Sequence, residues 1–444
     1  MQIKVLKFGG SSLADAEQFK KVAAIVRAEP ERRYVVASAP GKRFSGDTKV
    51  TDMLYNCFEL ATAKQDISEV FSQIEERYNQ IIRDLGLDCS LDEEFANIRM
   101  SIQHYAGKDY VASRGEYLNS MILAKYLGFP FIDAESGIFF TDDGKFDDAK
   151  TYRVLSGILS KYEYAVIPGF YGSMPNGTIK TFSRGGSDIT GSIVARAADA
   201  ALYENWTDVS GMLMADPRCI ENPRVISEIT YQELRELAYM GATVMHEEAI
   251  FPVREACIPI NIRNTNAPAD PGTMIVPMAD SMPMDTIITG VAGRKGFSTI
   301  TIEKDRMNTE VGFGRKVLSV LEDFSVSFEH IPSGIDAMSV IVSTAALQDN
   351  RDAIISGIFR DAKPDTVTIE DRLALIAIVG RGMVKAKGTA GRVFTACADA
   401  GINIRMIDQG SGENNIIVGV SEDDYEGTLR AIYHAFVPEV PHAV

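Results

Sequence analysis

The sequence predicts an α/β chain in which a largely parallel sheet lies between helices and two smaller repeated units follow. Three observations carry this. Short apolar strands alternate with amphipathic helical stretches from Ile3 to Arg263, the pattern of units that lay strands side by side in parallel. Several of the predicted strands end in glycine-rich or polar turns, where open α/β sheets bind their ligands. Further on, the chain repeats itself without a gap. Val317 matches Val393 (393 − 317 = 76), and at the same offset Leu321 meets Cys397, Val326 meets Ile402, Phe328 meets Ile404 and Ile331 meets Ile407. Each copy reads as turn, helix, strand, polar turn, strand, helix, a βαββα-like unit.

A chain of 444 residues exceeds one ordinary core and points to two to four domains at roughly 100–200 residues each. The formal charge of −16, with no basic stripe to offset it, speaks against nucleic acid as a partner. No apolar run is long enough for a membrane span, and the start MQIKVLKFGG lacks a signal-type apolar core, so a cytoplasmic protein is expected. Five scattered cysteines without a CxxC spacing support neither a disulfide framework nor a zinc site.

In chain order, Ile3–Phe8 reads as a buried strand followed by Gly9, Gly10, Ser11 and Ser12 and then a helix to Arg27. Lys7 stands at the strand end. Helix N-terminal amides and a lysine at one mouth suit phosphate, and an ordinary βα turn with a surface lysine fits the same residues equally well. The strand Tyr34–Ala39 ends at Ser38, and a long polar loop leads to a helix from about Thr51 to Lys64; its GK pair fails the Walker spacing. Ser38 and Thr51 are hydroxyl candidates for a small polar substrate, with helix capping the other reading for Thr51. Helices dominate from Asp66 to Leu127. Ser113 to Glu116 reads as a helix start, which puts Glu116 in a first turn, either complementing the dipole or binding an amino group.

Short strands are predicted at Phe131–Asp133 and Ala165–Pro168, the second leaving through Gly169 and Phe170. The stretch Thr181–Gly191, TFSRGGSDITG, concentrates anion chemistry: Arg184 offers a planar fork, Gly185 and Gly186 expose backbone amides, and Ser187 and Asp188 open a helix. The strand Ala201–Trp206 then delivers Thr207, Asp208, Gly211 and, beyond, Arg218. Strand ends that together supply two cations, amides, hydroxyls and a carboxylate suit phosphoryl transfer by a fold other than the P-loop type. A helix is predicted over Ile229–Met240, His246 is read as structural, and Ala267–Met284 is read as the exit from the first domain.

Taken together, KFGGSS at Lys7, FSRGGSD at Phe182, WTDVSG at Trp206 with DPR at Asp216, GATVMH at Gly241 and the tandem repeat closely resemble the monofunctional aspartokinases, across essentially the whole chain. The resemblance implies an amino acid kinase fold at 1–283 and two ferredoxin-like βαββαβ ACT domains, one at 304–372 and one formed by 284–303 with 373–444. It implies transfer of the γ-phosphate of ATP, with Mg2+ brought by the nucleotide, to the side-chain carboxylate of L-aspartate.

By the same resemblance Lys7 and Asp188 are catalytic, and Lys7, Gly9, Gly10, Thr207, Asp208, Gly211 and Arg218 bind ATP. Ser38, Thr51, Glu116, Phe170, Arg184, Gly185 and Ser187 bind aspartate. Met307, Thr309, Gly312, Phe313, Ser325, Val326 and Ser327 form an effector pocket for a feedback amino acid, lysine or threonine, in a homodimer or homotetramer built through the ACT domains. The chain departs from the family pattern at Thr243, Glu247 and Ser327, where relatives often carry lysine, proline and an acidic residue; Glu329 is the nearby acidic substitute. Two other readings share these residues. A kinase for another amino acid such as glutamate is opposed by the ACT pair and Glu116, and a catalytically silent sensor is opposed by the retained Lys7, Arg184 and Asp188.

Overall fold

The computed structural model describes residues 2–437 apart from 184, 243–244, 246, 278–286, 411 and 413. Two compact units are present: residues 1–212, 225–231 and 244–280, and residues 213–224, 232–243 and 281–444.

In chain order the first part carries β1 (Lys4–Phe8), α1 (Ala16–Arg27), β2 (Arg32–Ala37), α2 (Val50–Thr62), α3 (Ser68–Leu85), α4 (Asp92–Gln103), α5 (Lys108–Leu127), α6 (Asp148–Leu159), β3 (Ala165–Pro168), β4 (Tyr171–Ser173), β5 (Ile179–Thr181), α7 (Gly186–Ala197), β6 (Leu202–Thr207), β7 (Glu228–Thr230), α8 (Tyr231–Tyr239), α9 (Glu247–Glu255), β8 (Ile260–Asn264) and β9 (Thr273–Val276). Its sheet runs β3-β2-β1-β6-β8-β9-β7, with only the β8–β9 pair antiparallel. The strands β1, β2 and β3 are almost wholly buried, as expected for strands covered on both faces. At β6 the two faces differ. Glu204 and Trp206 point to one side, where Arg32 donates to Glu204 at 3.0 Å and the indole stacks on Phe8, while Tyr203 and Asn205 point toward α7.

Four sequence expectations change here. The strand expected at Phe131–Asp133 reduces to a single bridge between Phe131 and Val166. The helix expected from Ile229 begins at Tyr231 because Glu228–Thr230 is a sheet strand. The stretch read as a domain exit contains β9, whose antiparallel approach to β8 needs Gly272 at φ +71°. Glu116 lies in the middle of α5, not in a first turn. Beside it Gly115 is a packing glycine: a Cβ there would lie 2.8 Å from the Ala39 Cβ.

The second part carries β10 (Gly290–Glu303), α10 (Phe313–Asp323), β11 (Phe328–His330), β12 (Ala337–Ser343), α11 (Thr344–Leu347), α12 (Arg351–Ala362), β13 (Thr366–Val379), α13 (Thr389–Asp399), β14 (Met406–Asp408), β15 (Asn415–Ser421) and α14 (Tyr425–Phe436). They form one sheet in the order β11-β12-β10-β13-β15-β14. The offset holds for the first helix of each copy, since α10 and α13 begin 76 residues apart (389 − 313), whereas β15 begins 78 residues after β12 (415 − 337) and α14 begins 74 residues after α12 (425 − 351). A two-residue slip keeps every side chain on its face, so the hydrophobic pattern survives it. Strands β10 and β13 are long enough to serve both copies: Gly290–Arg294 pairs with Val379–Leu375, and after an irregularity at Lys295–Gly296, Phe297–Glu303 pairs with β12 as well.

Candidate active site

The carboxyl ends of β1, β2, β3 and β6 meet the start of α7, and the centre of that meeting is an ion pair. Lys7 Nζ lies 2.6 Å from Asp188 Oδ1, with Lys7 almost wholly buried and Asp188 partly open to solvent. Asp188 occupies the first turn of α7, where a carboxylate complements the helix dipole, and no side chain caps the helix start. Gly185 enters that turn at φ +56°, the left-handed region that glycine adopts at least cost. The uncapped helix start therefore lies beside a buried lysine, the arrangement that binds phosphate.

The glycine turn after β1 is held by backbone bonds on both sides. Gly9 N donates to the Trp206 carbonyl at 3.0 Å, and Gly41 N donates to the Gly10 carbonyl at 2.8 Å. A Cβ on Gly10 would sit 2.9 Å from the Ala39 carbonyl oxygen, with backbone on every side, so the two loops approach only because Gly10 and Gly41 have none. Gly10→Ala is expected to cost about 1–3 kcal/mol, read as a fall in thermal midpoint of several degrees.

On the other flank, Ser38 N donates to the Phe8 carbonyl, and the Ser38 carbonyl accepts from Asn119 on α5 at 2.7 Å. One turn earlier on that helix, Glu116 is buried and receives the Ala39 N–H, while its Oε2 has no partner among the described residues. Burial raises the Glu116 pKa to about 8, opposed by the Ala39 and Glu116 backbone N–H groups and by Arg114. Gly169 and Ser187 are packed so closely that a Cβ on Gly169 would lie 2.6 Å from Ser187 Oγ, and Phe170 follows at φ +83° with its N–H on Thr190. Thr51 is the second residue of α2 and does not cap it; the capping position is Lys49.

Thus Lys7, Gly9, Gly10, Asp188, Ser187, Gly185, Phe170, Ser38 and Glu116 share one rim. Thr207 ends β6 and Asp208 follows it on the same edge, with the Thr207 hydroxyl on Asp208 at 3.1 Å, and Gly211 turns at φ +112° against Thr273. Arg218 belongs to the second unit, where Asp216 holds its exposed guanidinium through two nitrogens. Arg184, Thr243 and His246 lie outside the described residues, as does the side chain of Glu247.

Of the effector candidates, Met307, Phe313 and Val326 are buried in the core of the second unit. Thr309 is exposed, and Gly312 caps α10 at φ +82°. Ser325 takes φ +56°, and Val326 and Ser327 line a depression with Leu318, Glu322 and Phe328. Glu329 accepts a hydrogen bond from the Tyr239 hydroxyl.

Sequence reading missed three supports. Asn205 donates to Asp188 Oδ1 at 2.9 Å, and an asparagine at a buried strand position was the available signal. Buried Arg77 anchors the loop after β2 by donating to the Gly41 carbonyl and to Asp47. Asp47 is held well below the usual carboxylate range by Arg43 and Arg77. Finally, Arg114 sits among the rings of Tyr110, Tyr117 and Tyr171 at 4.5–5.2 Å.

This sheet, with a lysine and a helix start at its carboxyl edge, defines the class: residues 2–264 match the amino acid kinase family, and residues 376–436 match an ACT domain. Aspartokinase 3 of Bacillus subtilis is 39% identical over 451 residues, 98% of each chain. The crystal structure of Clostridium acetobutylicum aspartate kinase, described as an allosteric enzyme, matches at a TM-score of 0.87 and 51% identity over 98% of this chain and 99% of that one. Escherichia coli aspartokinase III, solved with aspartate and ADP and again with lysine and aspartate, matches at 0.72 and 0.68, with 25% and 26% identity, over 98% of this chain and 99% of each. The chain belongs to the aspartokinases, kinases acting on aspartate.

Proposed function

We propose that the enzyme transfers the γ-phosphoryl group of ATP to the side-chain carboxylate of L-aspartate, forming 4-phospho-L-aspartate in the cytoplasm as the first step toward lysine, threonine and methionine. The observation that carries the site assignment is the buried Lys7–Asp188 pair at the uncapped start of α7. The aspartate oxygen attacks the γ-phosphorus and the bond to the ADP oxygen breaks; both are anions, so no proton transfer is needed. The chemistry then demands positioning and charge neutralisation. Lys7 neutralises the equatorial oxygens, the turn at Gly9 and Gly10 contacts the phosphates, and Thr207, Asp208, Gly211 and Arg218 serve the nucleotide. Glu116 takes the ammonium of aspartate, Arg184 its α-carboxylate, and Ser38, Thr51, Phe170, Gly185 and Ser187 complete that pocket.

Mg2+ would be carried in by the phosphates, with Asp188 as the nearby carboxylate. When bound, the ion supplies charge neutralisation on the phosphates.

The domain assignment is 1–283 for catalysis, 304–372 for the first ACT domain, and 284–303 with 373–444 for the second, the Phe297–Glu303 half of β10 also pairing into the first. Regulation acts through these ACT domains, which also join subunits, with lysine binding at Met307–Phe313 and Ser325–Ser327; the lysine complex of the Escherichia coli relative supports this choice. Trapping the acyl phosphate with hydroxylamine should give product from L-aspartate at least a hundredfold faster than from L-glutamate, and equal rates would refute the substrate. Lysine, tested alone and with threonine, should inhibit; indifference to both would remove the regulatory proposal.

A further inference from the structure

We infer that Asn205 is a positioning residue for phosphoryl transfer: it holds the carboxylate of Asp188 in place when Lys7 turns from that carboxylate to the transferring phosphoryl group. The inference rests on the catalytic reading of Lys7 and Asp188 given above.

The geometry begins with the ladder. In the parallel β1–β6 pairing Lys7 stands directly opposite Asn205, so the two side chains leave neighbouring strands on the same face, under α7. Both reach the same atom. Asp188 Oδ1 lies 2.6 Å from Lys7 Nζ and 2.9 Å from Asn205 Nδ2. One residue pair earlier on that face, the Tyr203 hydroxyl donates to the Asp188 backbone carbonyl at 3.2 Å, so β6 fixes both the backbone and the side chain of Asp188.

Asparagine is a poor choice here on structural grounds. It is disfavoured in strands, it is buried, and its Oδ1 has no partner among the described residues. Tyr203 and Trp206, its neighbours on β6, show that the strand buries bulky side chains readily. A residue that breaks the local rule and leaves a buried acceptor unmatched marks a functional compromise.

The compromise has a use. A phosphoryl group brings several anionic oxygens to Lys7, and the ammonium cannot remain fully committed to Asp188. A second cation in Asn205's place would compete with Lys7 for the phosphate, and an apolar residue would let the carboxylate swing. A neutral donor restrains Asp188 without adding charge, which is what preorganisation of a charged constellation requires.

Two substitutions test this. Asn205→Leu keeps the branching and the number of heavy atoms and removes the donor. The expected result is a kcat lower by about ten- to hundredfold, KM for aspartate and ATP within about threefold of wild type, and a thermal midpoint equal to or above wild type. Asn205→Asp keeps the shape and donates only when the new carboxyl is protonated. Its kcat relative to wild type should therefore rise as pH falls from 8.5 to 6, because the two carboxyls then share a proton. A purely structural role gives the opposite pattern, a lower midpoint with kcat unchanged and no pH signature.

A kcat for Asn205→Leu within twofold of wild type overturns the inference. Should that variant not fold, a pH-independent ratio for Asn205→Asp overturns it instead. Asp188→Ala, run in parallel, separates the two levels: wild-type turnover there would sink the catalytic reading itself, whereas an inactive Asp188→Ala beside a fully active Asn205→Leu sinks only the role of Asn205.

Discussion

Lys7→Ala is expected to lower kcat by about a thousandfold, about 4 kcal/mol of transition-state stabilisation, while KM for aspartate changes little. The reason is where the charge is needed. In the resting site the ammonium is matched by Asp188 at 2.6 Å, and it is nearly buried, so it acts in a medium that weakens it far less than water does. As the phosphoryl group moves between oxygens, negative charge spreads over its equatorial oxygens, and a fixed cation gains most at that point. Binding of aspartate leaves this interaction largely unused, which is why the loss should fall on turnover.

Folding is also touched, because removing Lys7 strips a charge partner from Asp188. Asp188 is partly open to water and keeps the Asn205 amide, so the cost should stay near 1–3 kcal/mol rather than the larger value for a sealed pair. Steady-state kinetics with a thermal melt checks both halves.

Glu116→Gln is the second large effect, and it has a pH signature. Burial holds the Glu116 carboxyl near a pKa of about 8, so at neutral pH the empty site carries it mostly protonated. A substrate ammonium requires the carboxylate. Apparent aspartate affinity should therefore rise about tenfold per pH unit from pH 6 to 8 and flatten above. With glutamine in place of the acid, the affinity should be about a hundredfold lower at pH 8 and independent of pH.

Stability of the unliganded enzyme moves the other way. The folded pKa lies above the ordinary value of 4.5, so the folded state holds the extra proton between those values. The contribution is full below 4.5 and is lost as pH rises through 8. Glu116→Gln should remove that loss and melt higher than wild type at pH 8.5. A wild-type KM that does not vary with pH, or a variant with unchanged aspartate affinity, would contradict the assignment.

Much of this site was legible in the residues. A lysine at a strand end before two glycines, and an aspartate after a glycine pair at a helix start, mark their own local structure, because turns and helix starts are set by nearby residues. What escaped was decided by distant packing. Ser113–Glu116 reads as a helix start until Ala39 is seen packed against Gly115, and only then does Glu116 move from a first turn to a buried mid-helix position.

Asn205 is read as one more polar residue in a strand until α7 brings Asp188 over it. Arg77 looks like the solvent face of a helix, yet it is buried and carries the loop at Gly41. The short strand Thr273–Val276 was hidden in a proline- and methionine-rich stretch because its pairing depends on Gly272 turning tightly against β8. In the C-terminal repeat the first helices kept the sequence offset while the strands slipped by two residues, a change that period-two patterning cannot register.

The division of labour between the two ends of the site is tested most directly by single-turnover phosphoryl transfer from γ-labelled ATP to saturating L-aspartate at pH 8, with the acyl phosphate trapped, in wild type, Lys7→Ala and Glu116→Gln. With both substrates saturating, Glu116→Gln should recover most of the wild-type rate and Lys7→Ala almost none. A fast Lys7→Ala, or a Glu116→Gln as slow as Lys7→Ala at saturation, would contradict the separation of a phosphoryl end at Lys7 and Asp188 from an aspartate end at Glu116.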